Sequence, residues 1–526
     1  MNICIHKINL MKNSLLFFFS FSFVSVYGQI LVSPDSSFGV NGRVAIEVGI
    51  SSSGESGMGR RVLKMLPDGK MLIATTAKIN EFNSNRNYWI GQLNSDGTLD
   101  ELFGTEGRTV IFSGNEGVGN ALVAVDTDLD NGVIVLGERK DPFTVIEEAV
   151  VKRLFSDGSV DNSFGVAGER IFRLSPIGSF TRARDLKVLA NGKILVLMDT
   201  RYSSTNPVGL GNEYCVARLN SNGSIDSSFA DNGFSFIIDA TLSDLAAKIA
   251  VRENGKIILA GTVSASGISK YRFIQLNENG SLDEEFGING SVIVERGNES
   301  AVILNDLIID ANGAILATGN ASQMLTIVRL DSSGFLDEEF NEIGYLNIPA
   351  LDIGNKLLID EEGFIYAVGR EFNQVLISKL NSQGDLISDF GSQGVASLGT
   401  ANPSSSDLTA AFSNDGNLFI AGAWFNDDKD FYSMVKVKFV NAGIPTNLKS
   451  VELNSLVVYP NPGTSFIRVN KALEDEFYQI VNSRGKQVFE GILLSDGFIQ
   501  TERLNTGMYI LHFPGKGLFA RFSIVD

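Results

Sequence analysis

Histidine and cysteine are almost missing from this 526-residue chain, which holds two of each, His6 and His512 with Cys4 and Cys215. Residues 1–28 read as a secretory signal peptide: Lys7 and Lys12 precede the apolar run LLFFFSFSFVSVYG, and small Gly28 offers a cleavage site before Gln29. That run ends after about 14 residues, short of the ~20 a spanning helix needs, so a membrane anchor is the weaker alternative. Cleavage would leave one cysteine and one histidine. An intramolecular disulfide, a Cys/His zinc cluster, a HExxH site and, within the repeat region, a Cys–His nucleophile are then excluded. Cys215 lies in an apolar strand-like run and reads as a small buried hydrophobe.

Basic residues are also scarce. Against 61 acids stand 43 bases, a formal charge of −18 that becomes −20 without the signal segment. A field of that sign repels nucleic acid and anionic membrane. Segments with a helical period are absent, and the 44% hydrophobic content suits a folded protein large enough for a repetitive domain and a smaller one.

A fifteen-residue phrase is what the chain has in abundance. LNSDGTLDELFGTEG at 93–107 returns as LFSDGSVDNSFGVAG, LNSNGSIDSSFADNG, LNENGSLDEEFGING and LDSSGFLDEEFNEIG. Its leucine-like position falls at Leu93, Leu154, Leu219, Leu276, Leu330, Leu380 and Phe439, and its phenylalanine at Phe38, Phe103, Phe164, Phe229, Phe286, Phe340 and Phe390. Periods of this size mark stacked or circular repeats. Each unit also carries an Asn-Gly or Asp-Gly between apolar runs, except one, as at Asp68-Gly69, Asn191-Gly192 and Asn254-Gly255. This pattern predicts a two-residue type I′ hairpin with positive φ at both central residues. Four short strands per unit over seven units predict an all-β fold, a seven-bladed β-propeller at residues 29–443. The first fragment has Asp35 and Phe38 but no preceding leucine, so residues 43–49 are expected to complete the last blade and close the ring.

The units, such as Gly255 to Gly261 followed by Leu276 to Gly290, resemble the delta-60 repeat family. That resemblance covers residues 35–440 and implies a propeller-like fold in secreted or surface proteins. After a linker at 444–452, residues 453–526 read as alternating strands of a small β-sandwich. Val458, Tyr459, Pro460, Asn461 and Pro462, the turn Ser483 to Lys486, and Leu504, Gly507, Tyr509 and Ile510 closely resemble the type A C-terminal sorting domain of the type IX secretion system. The resemblance implies export to the outer-membrane surface or beyond, the secretion machinery as partner, and a Bacteroidota-like source, with no stable transmembrane span left after processing. Arg521 stands where that family would carry lysine.

The phrase itself reads as a structural corner, since leucine and phenylalanine stand ten residues apart in all six pairs. Asp100, Asp161, Asp226, Asp283 and Asp337 are expected to accept backbone N–H groups there, with a calcium-binding carboxylate ring as the alternative. Ile387 replaces the aspartate in the last copy. Gln92, Arg153, Arg218, Gln275, Arg329, Lys379 and Lys438 precede the leucine position and either pair with nearby carboxylates or line an anion site. Calcium is the one cofactor with a candidate, in Asp126, Asp128 and Asp130 of DTDLDNG, although the spacing departs from an EF-hand loop.

From hairpin glycine to strand leucine the spacing varies between 17 and 27 residues. The variable connections share one face, and function is expected on loops held there by a rigid scaffold. The long ones suggest a glycan-binding rim of Asn85, Tyr88, Trp89, Arg201, Tyr202, Trp424, Phe425 and Asp427; inward-packed aromatics are the plain alternative. No catalytic constellation stands out. A secreted or surface binding module leads, ahead of a polysaccharide lyase or hydrolase using carboxylates and a purely structural surface protein.

Overall fold

The computed structural model describes residues 29–50, 60–78, 86–111, 121–140, 147–174, 180–201, 212–237, 243–265, 268–294, 302–371, 374–398, 408–426, 429–442, 458–459, 465–469, 473, 475–482, 487–494, 497–513 and 518–525. Residues 1–28, the expected signal peptide, and much of the variable face lie outside them. Among the described residues every regular element is a strand. The chain divides at Ala442/Gly443 into two compact units.

In the larger unit, consecutive strands form antiparallel meanders of four, spanning residues 62–111, 121–172, 180–237, 243–294, 303–348 and 353–397. The seventh sheet takes Thr409–Phe412, Leu418–Asn426 and Lys429–Ala442 from the end of the chain and two strands from its start. We number these blades one to seven. Each innermost strand packs against the next, and Thr409–Phe412 of blade seven packs against Val62–Met65 of blade one, so the ring closes. Arg43–Ile50 pairs with the first half of Lys429–Ala442, as the missing fourth strand should. Gln29–Pro34, which sequence did not foresee, pairs with the second half of the same strand.

Sheets stacked face to face bury both sides of their middle strands. Met71–Lys78 and Arg86–Leu93 are therefore buried almost throughout, while outer Arg108–Ile111 is half-buried. Seven hydrophobic cores result, one between each pair of neighbouring blades, and each contains one phenylalanine of the phrase: Phe38, Phe103, Phe164, Phe229, Phe286, Phe340 and Phe390. All are 1% exposed or less. Burial of each ring contributes about 1.5–3 kcal/mol.

The repeated phrase is the joint between blades. Phe164 reaches Gly223 in the next blade, where an added Cβ would lie 2.8 Å from the ring, and Gly165 N–H donates to the Asn222 carbonyl at 2.8 Å. Phe103 meets Gly158, and Phe229 meets Gly280, in the same way. Past Phe390 no further phrase exists. The N-terminal strand takes its place, with Ile30 N–H donating to the Asp389 carbonyl and Gly391 N–H to the Ile30 carbonyl.

Two expectations about register are corrected. The hairpins are not two-residue type I′ turns: Leu66 N–H bonds the Lys70 carbonyl, Gly69 N–H bonds Leu66, and only Gly69 of the Asp68-Gly69 pair has positive φ. This is a three-residue loop, a type I turn closed by one left-handed residue, in which Asp68 Oδ1 accepts Lys70 N–H instead of adopting positive φ. In blade seven Val437, not Phe439, occupies the leucine position, because it pairs with Leu418 as Leu93 pairs with Met71.

In the smaller unit Val458–Tyr459, Phe466–Val469 and Phe498–Gln500 form one antiparallel sheet. Gln487–Ile492, Phe477–Asn482, Gly507–Phe513 and Leu518–Ile524 form another. Side chains from both, among them Ile467, Ile480, Ile499, Leu511 and Phe522, share one core. Tyr509 stacks on Phe522 and donates its hydroxyl to the Asn505 carbonyl at 2.7 Å.

Candidate functional site

The conserved-length corner uses its carboxylates internally. Asp161 Oδ1 accepts Ser163 N–H at 2.9 Å while its other oxygen takes Arg153; Asp226 does the same with Ser228 and Arg218. Gln275 bonds Asp283, and Arg329 pairs with both Asp310 and Asp337. In blades two to five the polar residue before the leucine thus meets the phrase's own aspartate, whereas in blade one Lys70 serves Asp100. Where Ile387 removes that partner, Lys379 sits instead over Phe364, its Nζ 4.0 Å from the ring centre.

The calcium candidate is corrected. Asp126 Oδ1 binds Lys64 and its Oδ2 accepts Val188 N–H, whereas Asp128 caps its own hairpin by accepting Asp130 and Gly132 N–H. The two carboxylates are committed to different partners, and among the described residues no group of three acids, histidines or cysteines is placed to hold a metal.

The proposed rim is also corrected in part. Tyr88 and Trp89 are 0% and 2% exposed, held in a middle strand between two blades. Tyr88 fills the space left by Gly137 and donates to the Glu138 carbonyl at 2.8 Å. Tyr214, Tyr271 and Tyr432 occupy the same place in their blades and likewise donate to a neighbouring blade's carbonyl. Arg201, Trp424 and Phe425 lie at the variable-face ends of middle strands. Asn85, Tyr202 and Asp427 fall outside the described residues.

Two charged assemblies were not foreseen. The first is the axial cavity, about 430 Å³, lined by residues of all seven innermost strands. Arg60, Arg61, Lys64, Lys187, Lys248 and Lys356 face it together with Asp126, Asp185 and Asp306. These aspartates also stitch blades: Asp185 accepts Ile249 N–H at 3.2 Å and Asp306 accepts Leu357 N–H at 3.0 Å. Lys356 lies 3.0 Å from Asp306, and Lys248 lies 4.0 Å from Asp185. Burial lowers the Lys248 pKa, with Arg60 and Lys356 adding to the effect and Asp185 and Asp306 opposing it.

The second assembly crosses the seam of blades two and three. Asp199 is fully buried and pairs with Arg184, while Glu148 takes both Arg139 and Arg173. Burial raises Asp199 despite Arg184. Glu138, beside this pair, is pushed up to about 7 by burial, with the nearby Arg184 pulling the other way. Neither Glu138 nor Asp199 lines the axial cavity.

The register that gathers the axial charges was present in the sequence. Seven residues before the left-handed hairpin residue stand Val62, Ala124, Asp185, Lys248, Asp306, Lys356 and Thr409, one per blade. Their alternating charge over four successive blades was the signal.

Comparison with known proteins accords with this architecture. A family model described as a domain of unknown function (DUF5122) beta-propeller matches residues 66–103, 189–229 and 253–286. A secretion system C-terminal sorting domain matches residues 457–520. Among curated proteins no match is found. Similar solved structures include a protein of unknown function from Bacteroides caccae, 14% identical over 62% of this chain and 98% of that one, with a TM-score of 0.33. Prolyl oligopeptidase B from Galerina marginata is 10% identical over 86% of this chain and 55% of its own, with a TM-score of 0.39. An α-L-arabinofuranosidase from Fusarium graminearum is 10% identical over 72% and 92%, with a TM-score of 0.36. At these TM-scores none of the three carries functional meaning.

Proposed function

We infer that this chain, a β-propeller protein with DUF5122 repeats and a secretion-system C-terminal sorting domain, is a surface-acting binding module for glycan or another extracellular polymer. The sorting domain directs secretion or cell-surface attachment and engages the type IX secretion machinery. In this reading a signal peptide at 1–28 starts export from a Bacteroidota-like cell, the seven-bladed ring spans 29–443, and 444–452 links it to the sorting domain at 453–526.

The observation that carries the binding role is an asymmetry between faces. Hairpins and corners on one side are fixed in length and consumed by blade-to-blade joints, so only the other side is free to vary. A rigid scaffold bearing variable loops is the usual arrangement for recognition. Asn85, Arg201, Tyr202, Trp424, Phe425 and Asp427 are the rim residues retained; Tyr88 and Trp89 are withdrawn from it.

The test is retention of the purified full chain on an array of bacterial, algal and plant polysaccharides, with release of new sugar ends assayed on every positive. Retention that falls in the Arg201→Ala and Trp424→Ala variants supports the reading. Retention on no polymer overturns it.

A second reading, a polysaccharide hydrolase, is favoured by one observation. Glu138, its pKa pushed up to about 7 by burial beside the Arg184–Asp199 pair, has the properties of a general acid. New sugar ends that disappear in Glu138→Gln would favour it over simple binding.

A further inference from the structure

We propose that the axial cavity is a binding site for a small organic oxyanion, a molecule of sugar size carrying a carboxylate or phosphate group. This site is separate from the variable-face rim and does not depend on the polymer-binding reading.

The argument begins with charge balance. Six cations and three carboxylates line the cavity. Arg61 is satisfied outside it, its Nη2 lying 3.0 Å from Asp430, which leaves five cations facing three carboxylates. Asp126 is shared between Lys64 and Lys187, the latter at 4.0 Å. Arg60 donates one N–H to the Arg184 carbonyl at 2.9 Å and has no carboxylate within ion-pair distance among the described residues. The remaining fork of its guanidinium suits an oxyanion's paired oxygens.

This excess of positive charge sits inside a chain of net charge −18. A recess whose lining carries a net charge between low-dielectric walls focuses its field and concentrates the opposite ion. Its lining charges belong to blades one to six and feel one another: Lys248 responds to Arg60 of blade one, Asp185 of blade three, Asp306 of blade five and Lys356 of blade six. Hydrogen-bonding groups are present as well, in Thr409 and Asn305. The volume lies within the range of about 300–1,000 Å³ typical of small-molecule pockets, larger than a bare inorganic ion requires.

A lining that served only to pin the blades together would balance its charges, since leaving a cation unpaired costs free energy and gains nothing structural. Lys248 has Asp185 only at 4.0 Å, and Arg60 has a carbonyl alone. A bound oxyanion between these two would complete both.

The experiment is calorimetric titration of the purified full chain with galacturonate, inorganic phosphate and sulfate at low ionic strength, on wild type, Lys248→Met and Asp185→Asn. Binding is expected to weaken roughly tenfold in Lys248→Met, which removes a charge-assisted bond. In Asp185→Asn it is expected to tighten about fivefold, since a competing carboxylate is neutralised while its amide oxygen still accepts Ile249 N–H. Galacturonate bound more tightly than phosphate identifies a carboxylate ligand, and the reverse order a phosphorylated one; either supports the site. Should Lys248→Met fail to fold, the gain in Asp185→Asn still decides. Absence of heat with all three probes on folded protein overturns the proposal, as does binding unchanged in both variants, which would put the anion elsewhere. Neither result bears on polysaccharide retention.

Discussion

Removing the carboxylate of Asp226 should be among the costliest single changes to a polar group in the propeller. Asp226 is 6% exposed. One oxygen accepts Ser228 N–H at 3.2 Å and its hydroxyl at 2.6 Å; the other accepts Arg218 Nε and Lys193 Nζ, both at 2.6 Å. Arg218 in turn covers Phe229 and donates to the Glu278 carbonyl of blade four. Asp226→Ala leaves Arg218, whose side chain is 8% exposed, without its counter-charge, and breaking a buried pair this way costs about 3–5 kcal/mol. Lys193 is 30% exposed and adds at most about 1 kcal/mol after solvent screening. A loss near 4 kcal/mol follows, falling to about 2 kcal/mol in Asp226→Asn, which retains the turn bond. Asp100 occupies the same corner, but its cation is Lys70, 32% exposed, and Gln92 replaces the arginine, so Asp100→Ala should cost about 2 kcal/mol. Urea unfolding followed by the fluorescence of buried Trp89 measures all three. Equal midpoints for Asp226→Ala and Asp100→Ala, or a loss below about 1 kcal/mol in the former, would refute the claim that the buried arginine sets the cost.

Acid should destabilise the ring in a definite window. The Ser37 hydroxyl and amide hold Asp35 down to about 2, with Lys436 assisting, and at Asp226 the upward push of burial is outweighed by bonds from Lys193, Ser228 and Arg218, which hold it well below the usual carboxylate range. Depressed carboxylates contribute stability that is complete above their unfolded pKa near 4 and is lost as pH falls through the folded value, so the midpoint should drop steeply from about pH 4 to 2 and change little above. Glu138 acts oppositely: raised to about 7, it favours the folded state on protonation, so stability should rise as pH falls from above 7 toward 4.5, and Glu138→Gln should flatten that slope in pH-dependent melts. Gly223→Ala would force a Cβ to 2.7 Å from the Gly165 nitrogen at φ +80°, whereas Gly69→Ala at φ +84° meets nothing within 4 Å. The second should cost about 1 kcal/mol from backbone strain alone and the first at least twice that, compared by thermal unfolding.

What could be read without the structure was what local chemistry repeats. The glycine that turns each hairpin and the Leu–Phe spacing are set within fifteen residues, so the strand order and the closing role of Arg43–Ile50 followed from the sequence. Turn type did not, because Asp68, Asn191 and Asn254 bond the backbone N–H two residues on instead of turning left-handed, and at Asn131-Gly132 the asparagine alone takes positive φ. Tyr88 and Trp89 were misplaced on the rim because a strand buried on both sides shows no alternation to reveal its burial. The axial charges went unnoticed for a different reason. Asp185, Lys248, Asp306 and Lys356 stand 50 to 63 residues apart and become neighbours only when the ring closes.

That closure also sets a clock. Gln29 pairs with Ala442, 413 positions later, and Ile30 substitutes for the joint that the final phrase lacks. Blades one to six are made from consecutive residues and can assemble as they emerge, but the last seam has no partner until residue 442 exists. At about 5–20 residues per second this interval is roughly 20 to 80 s of synthesis. Throughout it the nascent propeller is an open arc with two unpaired edges. Joining the first strand to the last blade therefore makes the bond that renders the ring rigid the last one its own length permits.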